Sequence, residues 1–307
     1  MCKFIMLVGL PGSGKSTYAK KLEEEGYRIH SSDAIREELT GDENTQTKNA
    51  EVFEILGNRV RTDLKAGKSC VYDATNVVSK RRRGFLGTLE KIDCVKECIL
   101  FLTQIDECKR RNQSRERTIP EEVIEKMLRT FWVPMYYEGW DIISVISDNY
   151  TYRIPLFLCN GFDQKNRHHS LTLLEHMQQV MSYISNCKKL DKTSKRYKCL
   201  MTAALYHDIG KLYTQTFITK KGELTDDAHY YGHENYGTYL FLLHSFSGNT
   251  ILDLGESFYT AALINWHMKP YVAWEQSEKA KKRDIAIIGE EMYKDIMMLH
   301  EADVAAH

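Results

Sequence analysis

The sequence has 307 residues, of which 43% are hydrophobic and 27% charged, a composition that predicts a globular protein with a sizeable core and about two domains. Its formal net charge is zero, so no global field attracts nucleic acid or a membrane, and only local basic clusters could hold a phosphate-rich partner. No apolar run approaches the roughly 18 residues of a membrane span. The eight cysteines form no C-x-x-C pair, which predicts reduced structural thiols in a cytoplasmic protein.

The first predicted element is a buried parallel strand at residues 4–8, which is followed by a glycine-rich loop at 9–16 and a helix at 17–25. We expect residues 1–10 to form a strand rather than a signal peptide, because the apolar run is short and leads directly into the loop. The loop sequence GLPGSGKS fits the phosphate-binding pattern G-x-x-x-x-G-K-[ST], the P-loop.

A P-loop binds a nucleoside triphosphate because its glycines let backbone N–H groups surround a phosphate at a helix N-terminus. Lys15 would reach the β- and γ-phosphates, and the Ser16 hydroxyl would bind Mg²⁺. A glycine-rich turn without a ligand is the alternative, but the flanking strand and helix favour ATP or another triphosphate. The predicted cofactor-binding residues of the loop are Gly12, Ser13, Gly14, Lys15, Ser16 and Thr17.

A second strand is predicted at residues 27–31, and Asp33 and Arg36 follow it at the start of a helix. Asp33 could simply cap that helix. Because ligands of open α/β sheets bind outside the carboxyl ends of the strands, Asp33 could instead accept the proton of an attacking hydroxyl. Arg36, one turn further on, could then bind a phosphate of the acceptor. The spacing leaves both interpretations open.

The third predicted strand, at residues 69–73, ends in Asp73, and four basic residues follow at 80–83. An aspartate at this point of a P-loop protein often orients Mg²⁺ or its water, although it could also only fix the loop after the strand. The basic run is either a solvated helix face or a binding site for the phosphodiester of an acceptor.

The segment after a fourth predicted strand, at residues 94–102, is rich in positive charge. Five of the nine residues from 109 to 117 are basic, and a helix is predicted at 121–130. This segment is either a soluble pair of helices or a lid that closes cations over the γ-phosphate, as phosphoryl transfer requires. A last strand at 142–146 completes a predicted α/β domain, a parallel sheet flanked by helices.

Four motifs in this half, G-x-P-G-S-G-K-S-T, S-S-D-A-I-R, D-A-T-N and R-N-x-x-R-x-R-x-I-P, resemble those of the 5′-hydroxyl polynucleotide kinases. The likeness covers residues 1–148. It implies that Lys15 and Ser16 serve ATP and Mg²⁺, that Asp33 is the general base and that Arg36 binds the acceptor strand. It also implies Asp73 as the acidic residue of D-x-T-N. The arginines implied at the phosphates are Arg115, helped by Arg111 and Arg117.

A linker is predicted at residues 148–166, which divides the chain into a first domain at 1–150 and a second at 151–307. Apolar residues recur with helical spacing at 171–186, 195–209, 234–245, 256–266 and 284–306. The second domain is therefore predicted to be an all-α helical bundle.

Ten of the eleven histidines lie in this second half, although a single histidine is more often structural than a ligand. His207 and Asp208 are adjacent, and on a helix their side chains point about 100° apart, so both reach one metal ion only if it lies between these directions. The second oxygen of Asp208 could bridge another ion. Paired ions of this kind activate water and clamp a phosphate.

The order H…HD…H…H…D resembles the HD-domain metal-dependent phosphohydrolases. The metal ligands implied by the resemblance are His176, His207, Asp208, His233, His267 and Asp303. These ligand types suit one or two ions of Mn, Fe, Co, Ni or Zn. Lys211, in H-D-x-G-K, would bind a substrate phosphate or bond to Asp208. Four further histidines are expected either on the substrate side (His168, His169) or as bystanders (His300, His307).

The two halves together predict a bifunctional enzyme that heals nucleic-acid ends. The kinase would phosphorylate a 5′-hydroxyl end, the phosphohydrolase would remove a 3′-phosphate or 2′,3′-cyclic phosphate, and a separate ligase could join the products. This link rests on analogy with other end-healing fusions. Two alternatives stay open: a small-molecule kinase fused to a nucleotidase, and an ATP-sensing P-loop domain that regulates an HD hydrolase.

Overall fold

The computed structural model describes residues 1–42, 47–114, 118–148, 151–166 and 170–306. The chain forms two compact units. The first unit comprises Met1–Met127 and Pro134–Asn149, and the second comprises Leu128–Val133 and Tyr150–His307. Residues 128–133 therefore lie with the second unit, although they were predicted to belong to the first domain.

The first unit contains a sheet of five parallel strands in the order β2-β3-β1-β4-β5. Asp73 lies in register with Leu7 on one neighbouring strand and with Ser31 on the other. Because all carboxyl ends of a parallel sheet meet at one edge, the residues that follow these three strands share that edge. The strands are β1 (Cys2–Val8), β2 (Arg28–Ser31), β3 (Cys70–Asp73), β4 (Cys94–Leu102) and β5 (Ile142–Ser147).

Helices flank this sheet, as the sequence predicted. Ala19 and Leu22 of the first helix pack on Leu7, Val71 and Phe101 in the core. Helix α3 was not predicted, although Val52, Leu56, Val60 and Leu64 recur at helical spacing and are buried. The helices of this unit are α1 (Lys15–Glu24), α2 (Ser32–Thr40), α3 (Asn49–Lys65), α4 (Ser79–Gly87), α5 (Ile105–Gln113) and α6 (Glu121–Leu128).

The basic run at the start of α4 is not one uniform surface. Arg82 is 1% exposed, and its Nε and Nη2 donate to the two carboxylate oxygens of Glu138 at 2.7 and 2.6 Å. The indole of Trp140 donates to the same carboxylate at 2.9 Å. A buried charge requires such pairing. Arg82 is therefore a structural residue, and neither a solvated face nor a phosphodiester site describes it.

The second unit is mainly helical, as predicted. The predicted helix at 284–306 is in fact two helices that meet at Gly289, whose φ of +83° ends the first of them. A short antiparallel hairpin of β6 (Thr216–Ile218) and β7 (Leu224–His229) was not predicted. The helices are α7 (Leu173–Asn186), α8 (Lys195–Tyr206), α9 (Lys211–Thr214), α10 (His233–His244), α11 (Leu254–Trp266), α12 (Glu278–Ile288) and α13 (Glu290–Ala305).

Among the described residues, no helix combines the length and apolar character that crossing a membrane requires.

Candidate active sites

The P-loop between β1 and α1 has the backbone geometry of a phosphate cradle. Gly12 and Gly14 have φ angles of +77° and +92°, which other residues rarely adopt. A Cβ on Gly12 would lie 2.4 Å from the carbonyl oxygen of Cys108 in α5, so only glycine fits there. Gly14 is the N-cap of α1 and provides no capping side chain, which leaves the first backbone N–H groups of that helix to a phosphate.

Lys15 is buried in this loop, where its Nζ donates to the carbonyl of Leu10 at 2.6 Å and lies 3.3 Å from Ser13 Oγ. Thr103 donates to the Ser13 carbonyl and so ties the loop to the end of β4. Ser16 and Thr17 are exposed on the first turn of α1. These residues fit ATP with Mg²⁺, because a lysine ammonium, a helix N-terminus and two hydroxyl side chains belong to the loop and the first helical turn after it.

Asp33 and Arg36 form an ion pair on α2, with 2.6 Å between Oδ1 and Nη1. Ser31 is the N-cap of α2, and its hydroxyl oxygen accepts a hydrogen bond from the Asp33 N–H. The helix is therefore capped by Ser31 and not by the Asp33 carboxylate. The Asp33 side chain is 51% exposed, whereas Arg36 is buried and also donates to Asn49 at 3.1 Å. Arg36 is therefore placed to hold Asp33, with little surface left for an acceptor phosphate.

Asp73 lies buried at the end of β3, next to the strand that enters the P-loop. The D-A-T-N turn is tied to the same place, because Asn76 donates to the Leu7 carbonyl at 2.8 Å and Gly9 N–H donates to the Thr75 carbonyl at 3.0 Å. Asn76 has a φ of +49°, a conformation that asparagine tolerates better than most residues.

The basic segment after β4 begins on α5, where Arg111 lies beside the P-loop. A Cβ on Gly14 would lie 3.9 Å from Nη1 of Arg111. Glu107 and Asp148 hold its guanidinium at 2.6 and 3.3 Å. Hydrogen bonds from Arg110 and then Arg111 lower the pKa of Glu107 to about 2. Arg115 and Arg117, the other predicted lid arginines, lie outside the described residues.

The second candidate site is a buried cluster of histidines and aspartates in the second unit. Two groups share Asp208, and in each group the ligand atoms lie within 4.8 Å of one another. All six predicted ligands belong to these groups. The first group contains His176, His207, Asp208 and Asp303, and the second contains Asp208, His233 and His267.

Asp208 faces the two groups with its two different oxygens. Oδ2 lies 3.4 Å from Nε2 of both His176 and His207, while Oδ1 lies 3.1 Å from Nε2 of His233 and 3.7 Å from Nε2 of His267. Helix α8 ends at Tyr206, so the His-Asp pair lies in the turn after the helix and not on it, contrary to the prediction. This carboxylate is suited to bridging two cations.

Backbone carbonyls orient the imidazoles of His207, His233 and His267. Because a carbonyl oxygen only accepts, each Nδ1 carries the hydrogen and each Nε2 can offer a lone pair to a metal ion. Nε2 of His207 is buried without a hydrogen bond among the described atoms, which a divalent cation would satisfy. The accepting oxygens are those of Ala204, Tyr230 and Ile264, at 2.9, 2.8 and 2.8 Å from Nδ1.

The charges of this cluster are strongly coupled. Burial lowers the pKa of His207, but Asp208 and Asp303 outweigh it and raise that pKa to about 10. Burial raises the pKa of Asp208, but Lys211 and His207 outweigh it and hold that pKa well below its usual range. A proton therefore occupies the His207 imidazole that a metal ion would need, so protons and a divalent cation compete for this ligand.

Three further residues support the cluster. Lys211 lies with its Nζ 2.7 Å from Asp208 Oδ2 and donates to the buried Gln164 at 2.9 Å. The Tyr271 hydroxyl donates to Asp303 at 3.0 Å. Lys211 was predicted from its motif. Gln164 carries no signal in the sequence, whereas Tyr271 follows His267 at helical spacing, which could have indicated it.

Aromatic residues lie at the base of the hairpin, directly before His233. The rings of His229 and Tyr231 stack at 5.2 Å with 14° between their planes. Lys220 in the hairpin turn lies 5.3 Å from the Tyr231 ring centroid. The charge of the hairpin is mixed, since Glu223 and Asp226 lie on it too. We call His229, Tyr231 and Lys220 the hairpin platform.

The remaining histidines divide into two sets. His300 pairs with Glu275 at 3.1 Å and belongs to neither metal group. His244 is buried and accepts the N–H of Ile154, which marks it as structural. The other predicted positions, His168, His169 and His307, lie outside the described residues.

Comparison with protein families agrees with the two units. Residues 4–134 match a family model described as an AAA domain, and residues 168–288 match the HD domain. The chain thus carries a P-loop kinase-like domain followed by an HD domain, both of them enzyme domains.

Individual relatives match only part of the chain. An L-seryl-tRNA(Sec) kinase of Methanococcus maripaludis is 29% identical over 152 residues, which cover 47% of this chain and 58% of that protein. An adenylate kinase of Thermosipho melanesiensis is 32% identical over 136 residues, 44% of this chain and 52% of that one. The chain spans about half the length of these curated relatives. A chain in the structure of the Pnkp1/Rnl/Hen1 RNA repair complex is 25% identical, with a TM-score of 0.38, and the match covers 41% of this chain and 42% of that one.

Proposed function

We propose that this chain, a P-loop kinase-like domain followed by an HD domain, is a bifunctional enzyme that heals nucleic-acid ends. The first domain phosphorylates a 5′-hydroxyl end with ATP. The second removes a 3′-phosphate or a 2′,3′-cyclic phosphate with divalent metal. The resulting 5′-phosphate and 3′-hydroxyl suit a separate ligase, and we propose a cytoplasmic location for this work.

In the kinase domain, Asp33 is the general base that takes the proton of the attacking 5′-hydroxyl. Its exposed carboxylate is held by the buried Arg36, which keeps it oriented at the phosphate edge of the sheet. Lys15 and the arginines at 111, 115 and 117 neutralise charge on the transferred group. ATP, when bound, would supply the phosphoryl group, and Ser16 and Asp73 are the residues that would hold its Mg²⁺.

In the HD domain, Asp208 divides its oxygens between two histidine groups, which is the observation that carries the hydrolase half of the proposal. Two bound divalent cations would supply an activated water and a clamp for the phosphate. Lys211, at hydrogen-bond distance from the bridging carboxylate, adds a positive charge for a substrate phosphate. Gln164 and Tyr271 hold Lys211 and Asp303 in place.

A polynucleotide substrate of the HD site is favoured by the hairpin platform. Single-stranded nucleic acid binds by stacking bases on aromatic side chains beside cations. The stacked pair of His229 and Tyr231, with Lys220 beside it, directly precedes the metal ligand His233. The stacked rings are the main support for nucleic-acid binding, because the hairpin carries both acidic and basic residues. The relative named L-seryl-tRNA(Sec) kinase, by its name, also acts on a group carried by RNA.

The test is transfer of radiolabelled γ-phosphate to a 5′-hydroxyl oligonucleotide, compared with mononucleosides. In parallel, the HD activity is assayed on an oligonucleotide with a 2′,3′-cyclic phosphate end and on a mononucleotide. We expect labelling and hydrolysis of the oligonucleotides with Mg²⁺ and Mn²⁺ respectively. If neither oligonucleotides nor nucleosides become labelled, the kinase half of the proposal is wrong.

A second candidate is a small-molecule kinase fused to a nucleotidase. Two observations favour it: the zero net charge of the chain and the partial match to a protein named adenylate kinase. Preference for mononucleosides in the same assays would select it. A purely ATP-sensing P-loop domain would need no base, so it has no use for the exposed carboxylate of Asp33.

A further inference from the structure

A six-residue segment, Leu128–Val133, begins at the last residue of α6 and belongs to the second unit, although it lies inside the residues that match the AAA family. We call this segment the strap. It joins the predicted lid region to Pro134, after which the chain returns to the first unit. The strap contacts α10 and α11, the helices of the second unit that carry His233 and precede His267.

Two buried asparagines bind the backbone of the strap. Asn265 accepts the N–H of Val133 at 2.8 Å and donates to the carbonyl of Phe131 at 3.1 Å. Asn235 donates to the carbonyl of Arg129 at 3.0 Å. Asn265 also donates to the side-chain oxygen of Asn235 at 3.1 Å. The two amides and the strap therefore form one hydrogen-bonded network.

This network lies beside the second metal group. Asn235 follows His233 by two residues on α10, and Asn265 precedes His267 by two residues at the end of α11. The Nε2 atoms of these two histidines are 3.2 Å apart. The bond between the asparagines thus sets the distance between the two helices at the point where their ligands converge.

Side chains of the strap pack on the same two helices. The Phe131 ring lies edge-on to Tyr239 at 5.1 Å, and the Trp132 ring lies edge-on to Trp266 at 5.0 Å. The Arg129 guanidinium donates to the carbonyl of Tyr231 at 3.3 Å. The fit is close, because a Cβ on Gly232 would lie 2.4 Å from the Arg129 carbonyl oxygen.

We infer that the strap is a positioning element of the second metal site, formed by Asp208, His233 and His267. The inference rests on the proposed metal-dependent function of that cluster. Residues inside the kinase-family match would thus set the affinity of the HD domain for its second ion. The hydrogen bonds of these two asparagines described above go to the strap and to each other rather than to His176, His207 or Asp303, so the first group serves as an internal reference.

The experiment is a Mn²⁺ titration of the full-length protein by calorimetry, with wild type and Asn265→Ala. Loss of a direct hydrogen-bond partner of a metal ligand typically costs about 10- to 100-fold in metal affinity, and Asn265 acts one bond further out, so the lower end of about 10-fold is expected for it. We expect two binding steps in wild type and a loss of this size in only one of them in Asn265→Ala. A general loss of folding would change both steps, so the selective loss identifies positioning.

Two further variants complete the test. Arg129→Ala removes a half-buried strap side chain with less risk to folding, and we expect a smaller loss in the same binding step. Asn249→Ala is the control, because it removes hydrogen bonds from a side-chain amide to the carbonyls of Tyr152 and His244 in the same unit, neither of which is a predicted metal ligand. The 5′-kinase rate should stay unchanged in all three variants.

Wild-type affinities for both ions in Asn265→Ala and Arg129→Ala would overturn the role of the strap. A wild-type protein that binds no Mn²⁺ in either step would instead contradict the proposed metal-dependent function. The two failures are therefore distinguishable by the wild-type titration alone.

Discussion

Asp208 and His233 lie on different elements, yet their carboxylate oxygen and Nε2 are 3.1 Å apart. Gly210 makes this approach possible. A Cβ at that position would lie 2.0 Å from the His233 carbonyl oxygen and 2.8 Å from the Gly237 nitrogen. The glycine of the H-D-x-G-K motif is therefore needed for close packing of two backbones, and its own φ of −65° is ordinary.

Gly210→Ala should move Asp208 away from His233 of the second metal group. The added methyl has no room, so the turn must move away from α10, at a cost of about 1–3 kcal/mol in unfolding free energy. We expect loss of the second ion and of phosphohydrolase activity, measured by metal analysis and thermal unfolding. Gly255→Ala is the matched control, because its Cβ would meet only Asp253 Oδ1 at 3.6 Å. Full activity in Gly210→Ala would refute this packing argument.

Asp33→Ala should abolish phosphoryl transfer and leave the metal-dependent hydrolase intact. Loss of a general base costs about 10²- to 10⁴-fold in rate. Asp208→Ala should have the reverse effect, because both metal groups lose their shared ligand. Glu38→Gln on the same helix as Asp33 is the control, since its exposed pair with Arg59 is worth little. Loss of both activities in either aspartate variant would mean that the two sites are not independent.

Metal affinity should rise with pH. The pKa of His207 is raised to about 10, so at pH 7 the metal-free site holds a proton that an incoming cation must displace. The apparent dissociation constant should fall about tenfold per pH unit for each proton released, and this trend should continue up to about pH 10. Mn²⁺ titrations at pH 6, 7 and 8 in buffers of different ionisation enthalpy would count those protons. A constant affinity over this range would contradict the competition.

Tyr231→Ala should raise KM of the HD site for oligonucleotide substrates more than for mononucleotide substrates. Stacking of one base is worth about 1–3 kcal/mol, which is about 5- to 150-fold in KM. We expect KM for the oligonucleotide to rise by such a factor while kcat changes little. Tyr231→Phe keeps the ring and should behave like wild type. An equal effect of Tyr231→Ala on both substrates would mean that the hairpin platform does not bind a nucleobase.

The sequence predicted those parts of the fold that depend on local pattern. Strand β4 begins and ends at the predicted residues, because a nine-residue, largely apolar run has few alternatives. The motifs around Lys15 and Asp208 pointed to side chains that lie in the glycine-rich loop and in the buried histidine–aspartate cluster, since phosphate and metal chemistry need fixed spacing. Helix α9, with four residues, was too short for any periodic signal.

Contacts between distant segments could not be predicted from local pattern. The basic run at residues 80–83 resembled a surface, yet the Arg82 charge is buried and paired with Glu138, 56 residues further on. The spacing of Arg36 from Asp33 predicts a substrate ligand, and it does not reveal that Arg36 also donates a hydrogen bond to Asn49. Gln164 reaches Lys211 across 47 residues. In each case, the partner comes from a distant part of the chain, and no sequence motif links it to the residue that it contacts.

The strap also has a consequence for how the protein is made. Val133 leaves the ribosome 132 residues before its partner Asn265, and at roughly 5–20 residues per second this interval is on the order of 10 s. During that time Phe131 and Trp132 have no helices to cover them, so the nascent chain presents an aromatic segment that a chaperone could bind. Separate expression of residues 1–150 would make this exposure permanent. We therefore expect the first half alone to be poorly soluble during expression, although its sheet is complete.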